Sequence, residues 1–265
     1  MPVTSCPLPV TAFFPRKLQM IFRTVGPVSI AASLSLVLAG CMASSNATVQ
    51  AGDTSMSGGL TAEQRAAGWR PLFDGRTMEG WRGYKSQTMP SGWHVVDGTL
   101  TKTGSIEDIV TRDQFGDFEL AFDWKLSPGG NAGVFYRGTE EYDHIYWSGP
   151  EYQLLDDALH PDGKSRLTAA GAAYGLYPSP AGIVKPANQW NSTLIVVQGA
   201  RVQHWLNGQK LLEYELWSPD WEAKVKASKF NDYPNYGRAK RGYIAFQGDH
   251  DGELSLRNIR IRQIP

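Results

Sequence analysis

Cysteine is almost missing from this chain of 265 residues, where only Cys6 and Cys41 occur, so no disulfide framework can carry the fold. Net charge is missing too. Twenty-six Lys and Arg balance 26 Asp and Glu, which leaves no field to gather nucleic acid or an anionic surface. Heptads and long helical periodicities are absent, and no motif calls for a nucleotide cofactor. Glycine (28), proline (16) and tryptophan (9) are plentiful instead, the composition of a turn-rich all-β protein.

The longest apolar run, Val25 to Leu38, follows Arg23 and is too short and weakly flanked for a stable membrane span. It reads as the core of an export signal over residues 1–40. Leu38-Ala39-Gly40-Cys41 resembles a bacterial lipobox, implying cleavage before Cys41 and lipidation of its thiol. Met42 in the next position implies, by resemblance to Gram-negative sorting, an anchor in the outer membrane facing the periplasm. Residues 1–19 read as an upstream extension with Met20 as the start. Residues 41–59 are small and polar, a flexible lipidated tether, and the folded domain spans 60–265.

Thr61-x-x-Gln64 forms a capping box for one short N-terminal helix ended by Gly68. Strand patterns follow at 93–100, 118–124, 131–137, 194–198, 201–206, 209–215, 242–247 and 253–262, with Asp97-Gly98 and Asn207-Gly208 as hairpin signals. Many antiparallel strands with long loops predict a jelly-roll sandwich of two sheets.

One stretch carries chemistry. In Gly149-Pro150-Glu151-Tyr152-Gln153-Leu154-Leu155-Asp156-Asp157, strand alternation puts Glu151 and Gln153 on one face and Tyr152 and Leu154 on the other. An acid and an amide on one face suit a sugar hydroxyl, a metal ion or a transferable proton; an ordinary solvated face has the same pattern. The same parity puts Asn131 and Arg137 on one side of their strand, although Arg137 has surface partners on offer in Glu140 and Glu141.

Trp69-Arg70-Pro71-Leu72-Phe73-Asp74-Gly75, Gly92-Trp93-His94-Val95-Val96-Asp97-Gly98, Asn131-Ala132-Gly133-Val134 with Arg137, Glu151-Tyr152-Gln153-Leu154-Leu155-Asp156, Leu206-Asn207-Gly208 and Gln247-Gly248-Asp249-His250 occur in order. Together they resemble the 3-keto-disaccharide hydrolase family, whose fold is of the concanavalin A-like class. Two departures stand out. The family often has serine at position 132 and glycine at position 251, where this chain has Ala132 and Asp251.

The resemblance implies cleavage of glycosides already oxidised at carbon 3. A ketone there acidifies the carbon-2 proton, a base removes it, the enolate expels the group on carbon 1, and water adds to the product. His250, with an ordinary pKa near ~6.5, and Glu151 compete for the role of base. Asn131, Arg137, Gln153 and Gln247 are candidates to bind substrate oxygens. One divalent metal ion could instead hold the enolate, with Glu151, Asp156 and His250 as candidate ligands. An oxidised glycoside is the implied substrate, and a sugar 3-dehydrogenase is a candidate partner to supply it.

Two rival readings share the fold. A retaining glucanase needs paired carboxylates about 5 Å apart, and Glu141-Tyr142-Asp143-His144-Ile145 begins such a motif without completing it. A non-catalytic lectin-like module needs no proton-transfer residue, so convergence of Glu151 and His250 on one pocket discriminates against it.

Overall fold

Thr61 opens the first helix with the expected reciprocal cap. Gln64 N donates to Thr61 Oγ1 (3.2 Å) and Thr61 N donates to Gln64 Oε1 (3.0 Å), starting α1 (Ala62–Ala66). The structure, a computed structural model, describes residues 59–264. The export signal, the lipobox with Cys41, and the tether up to residue 58 lie outside the described residues.

The chain continues through β1 (Arg70–Pro71), β2 (Trp81–Gly83), β3 (Trp93–Val96), β4 (Thr99–Thr103), β5 (Ile109–Thr111), β6 (Phe118–Leu126) and β7 (Asn131–Gly138). After these come β8 (Glu151–Leu155), β9 (Asn191–Gln198), β10 (Arg201–Leu206), β11 (Gln209–Glu215), α2 (Pro219–Lys226), β12 (Tyr243–Phe246) and β13 (Glu253–Gln263). They build two antiparallel sheets. The larger has the order β11-β10-β9-β6-β13-β4-β3 with β1 added to β13, and the smaller has the order β2-β5-β12-β7-β8. Both hairpin signals act as expected: Asp97 and Gly98 (φ 48° and 75°), like Asn207 and Gly208 (φ 49° and 81°), take the paired positive φ of a two-residue turn that matches strand twist.

The sheets pack face to face over one apolar core. Phe122 of the larger sheet meets Phe246 of the smaller edge-on at 5.4 Å, and Trp81 lies 5.3 Å from the same ring. Trp81, Trp93 and Trp124 are each 1% exposed, so the aromatic content is spent largely on this interior. This is the sandwich of two antiparallel sheets that the strand pattern predicts.

Two expectations need correction. A second helix, α2, exists where only one was expected. Ser218 caps it, accepting from Trp221 N (3.2 Å), and Pro219 occupies its first position, an N-terminal signal that the sequence reading passed over. The glucanase-like segment 139–144 is loop, and Glu141 and Asp143 are exposed on it.

The second correction concerns Arg137. Parity fails because β7 bulges. Tyr243 pairs with Gly138 but Ala245 pairs with Phe135, and Arg137 takes a left-handed φ of 51°. Its guanidinium, 2% exposed, donates to Gly116 O (2.9 Å), Gly199 O (2.8 Å) and Asp117 Oδ1 (2.7 Å). Asp117 Oδ2 in turn accepts from Gly199 N (2.9 Å). Arg137 therefore ties the smaller sheet to the start of β6 and the β9–β10 turn, with each of its three guanidinium nitrogens engaged by the protein. Arg137→Ala should lower unfolding free energy in urea by about 3 kcal/mol, the cost of stranding a buried partner, while KM of the folded enzyme stays unchanged.

Candidate active site

β8 is the last strand of the smaller sheet, and its free edge would be a liability if left open. The segment after it folds back to close that edge. Gly171 N donates to Gln153 O (2.8 Å), Gln153 N to Ala172 O (3.2 Å) and Tyr174 N to Glu151 O (3.1 Å). Tyr152 and Leu154 enter the core, while Glu151 and Gln153 point the other way, under this cover. The result is a cavity of about 250 Å³.

Several segments meet there. The sheet supplies Asn131, Glu151 and Gln153, and the turn after β12 supplies Gln247, Asp249 and His250. The 3-10 turn Ile145–Trp147 adds Tyr146 and Trp147, the long β8–β9 connection adds Asp162 and Tyr174, and the turn Lys229–Asp232 adds Lys229.

Glu151 sits where only a glycine neighbour allows. A Cβ on Gly133, which pairs with Gln153 on β7, would lie 2.3 Å from Glu151 Oε1. Among the described residues no group donates a hydrogen bond to the Glu151 carboxyl. Burial pushes its pKa up to about 8, against the opposing pull of Lys229; the charges of Asp249, Asp108 and Asp162 add to the rise. His250 moves the other way, its pKa lowered chiefly by burial and partly restored by Asp249. At neutral pH the cavity thus offers a carboxylic acid and a neutral imidazole. Asn131 links the imidazole to Gln153: its Oδ1 accepts from Gln153 Nε2 (3.2 Å), leaving Nδ2 to face His250 Nε2 at 3.3 Å.

Two buried acceptors, Gln153 Oε1 and Gln247 Oε1, have no partner among the described residues. Unmet buried oxygens lining a cavity are positions for donors on a ligand, and hydroxyl groups supply them.

Of the residues selected from sequence, Glu151, His250, Asn131, Gln153 and Gln247 come together here, while Arg137 and Asp156 do not. Asp156 is a correction. Its Oδ2 accepts from Gly129 N (2.8 Å) and its Oδ1 from Ala158 N (3.2 Å), so both oxygens are engaged in holding loops. The expected ligand set of Glu151, Asp156 and His250 is therefore not assembled. Among the described residues no three His, Cys, Asp or Glu side chains are grouped to hold a metal ion. The family departures prove harmless to the cavity: Ala132 faces the core, and Asp251 is exposed without a left-handed backbone.

Sequence reasoning missed Lys229. Its ammonium lies 4.6 Å from the Tyr174 ring centre and 5.5 Å from that of Trp147, and among the described residues no carboxylate forms an ion pair with it. The Lys-Phe pair on a short turn gives no local sign of this, because the partners come from distant loops. Lys102, buried in β4, was missed as well; its ammonium donates to His250 O and to Gly104 O (3.1 Å). So was Asp108, whose Oδ1 accepts from Gly248 N (2.8 Å).

Residues 68–262 match the 3-keto-alpha-glucoside-1,2-lyase-like domain family. The chain belongs to that family. A curated relative from Bacteroides thetaiotaomicron, a 3-keto-disaccharide hydrolase, is 34% identical over 229 residues, 74% of this chain and 79% of the relative. Two crystal structures from Parabacteroides distasonis, both with a provisional glycosyl hydrolase assignment, resemble this 3-keto-glucoside lyase-like domain. One is 32% identical, covers 78% of this chain and 98% of its own, and gives a TM-score of 0.73. The other is 27% identical, covers 74% and 99%, and gives 0.60.

Gly133→Ala tests the glycine that makes room for the acid. The added methyl must displace the Glu151 carboxyl, and a misplacement of about 1 Å costs roughly 10²-fold in rate. We expect kcat to fall by about that factor with the circular dichroism spectrum unchanged.

Proposed function

We propose that this protein cleaves 3-keto-glycosides by elimination and hydration. It is a glycoside-cleaving enzyme, and the observation that carries the finer reading is the meeting of a partnerless buried carboxyl and an imidazole in one cavity. Environments that push two titratable groups in opposite directions assign their roles. His250, neutral at pH 7, takes the proton from carbon 2. The electron pair moves toward the carbon-3 oxygen, and the Lys229 ammonium stabilises the enolate. When the ketone re-forms, carbons 1 and 2 become doubly bonded, the bond from carbon 1 to its oxygen breaks, and Glu151 gives its proton to the departing oxygen. Water then adds its oxygen to carbon 1 and a proton to carbon 2, so the net change is hydrolysis. Gln153 Oε1 and Gln247 Oε1 accept from sugar hydroxyls. Neither donor set nor step calls on a metal ion.

A non-catalytic lectin-like module has no use for a raised acid in one cavity with a neutral imidazole, and the glucanase pattern begun by Glu141 and Asp143 finds no closing carboxylate at Ile145 or Tyr146. The substrate needs prior oxidation at carbon 3, so a sugar 3-dehydrogenase is the class of enzyme that supplies it. Lipidation at Cys41 anchors the domain in the outer membrane, facing the periplasm.

The deciding assay follows aglycone release from a 3-keto-glucoside and from its unoxidised parent, each with and without chelator. Release from the ketone alone, unaffected by chelator, is expected. Release from the parent would restore the glucanase reading, and binding without release would leave a lectin-like module.

The pH profile follows from the two shifts. kcat/KM should fall as pH rises through about 8, where Glu151 loses the proton it must donate. It should also fall on the acid side, below the ordinary histidine range, as His250 becomes protonated. Glu151→Gln should lower kcat by roughly 10²–10⁴-fold and remove the alkaline limb; persistence of that limb would assign it to another group.

A further inference from the structure

A second cavity, of about 510 Å³, adjoins the first. Asp249 lines both. They share a wall in which His144 on the second side stacks on Tyr146 of the first, ring centres 4.7 Å apart at 13°. The turn that carries His250 forms the rest of that wall and packs hard against the 105–108 segment. Ile106 N donates to Gly248 O (2.9 Å), Ser105 Oγ to Asp249 O (2.7 Å), and a Cβ on Gly248 would lie 2.6 Å from Glu107 O.

The first cavity alone falls below the ~300–1,000 Å³ of ordinary ligand pockets, whereas the two together fall within it. One ring in the first cavity therefore leaves the group attached to carbon 1 to be accommodated outside. We propose that the second cavity receives this leaving group, a neutral hydroxylated ring such as a second sugar, with the scissile bond beside Asp249. The inference rests on the 3-keto-glycoside reading above.

The lining selects that class. Tyr84, Ile106 and His144 offer flat apolar surface to the C–H face of a ring. Glu107, Asp143 and Asp249 surround it with hydroxyl acceptors, and with Lys85 as the lining cation they repel an anionic leaving group. Asp249 and Asp108 are also among the charges that raise the Glu151 pKa, which places the proposed acid within electrostatic reach of this boundary.

Glu107 and Asp143 are exposed, so each can be enlarged without disturbing the core. Glu107→Trp and Asp143→Trp should lower kcat/KM for a 3-keto-disaccharide about tenfold or more, and leave that for methyl 3-keto-glucoside, whose leaving group is small, within about twofold. Equal loss on both substrates, or no loss on either, overturns the inference. If the wild-type enzyme cleaves neither substrate, the cleavage reading fails by itself. Calorimetric titration of the disaccharide into wild-type protein and Glu107→Trp then reads the second cavity without chemistry. Weaker binding by the variant supports the site, and equal or absent binding overturns it.

Discussion

The Glu151 carboxyl lies buried with no hydrogen-bond donor among the described residues, and much of the surrounding architecture exists to keep it there. A charged carboxylate in such a place costs several kcal/mol unless it is paired, so the group takes its proton and stays neutral near pH 7. Holding it needs space beside it, which Gly133 provides, and cover above it, which the 171–174 backbone provides by closing the β8 edge. A surface strand with the same sequence would leave Glu151 in water with an ordinary pKa. The reactive property thus belongs to the closed edge as much as to the residue.

The sandwich itself was legible because its signals are local. Asp97-Gly98 and Asn207-Gly208 dictate two-residue turns, and the alternation in Phe118–Leu126 fixes which face is buried. Glu151 and Gln153 were correctly set apart from Tyr152 and Leu154 by the same rule. That rule fails at Arg137, since a bulge inserts a residue and flips the face, and no side-chain pattern announces it. Asn258 marks a second bulge, where the β13 register moves between Arg257 and Arg260, and its amide donates to Asp123 Oδ2 at 2.7 Å.

The remaining members of the site were illegible for a different reason. Lys229, Asp162 and Tyr174 come from segments with no strand periodicity, and only the folding of the long β8–β9 connection and of the turn after α2 brings them to the cavity that Glu151 lines. Asp156 shows the converse. An aspartate beside a promising strand invites a ligand role, yet the residue ending a strand is well placed to accept from turn N–H groups, and that is where its oxygens go.

The position of His250 carries a cost that points to its importance. A Gly-Asp-His-Asp-Gly turn has little intrinsic rigidity. Here it is held from both sides by buried ionisable groups, the Lys102 ammonium on the His250 carbonyl and the Asp108 carboxyl on Gly248 N. Burial lowers the pKa of Lys102 and raises that of Asp108 to about 7, so each is strained away from its charged form. Apolar residues would fill those positions with less penalty for stability alone. A fold that accepts two such groups to fix one turn, beside a third in Glu151, trades stability for the relative placement of a buried carboxyl and an imidazole, the trade expected at a catalytic centre.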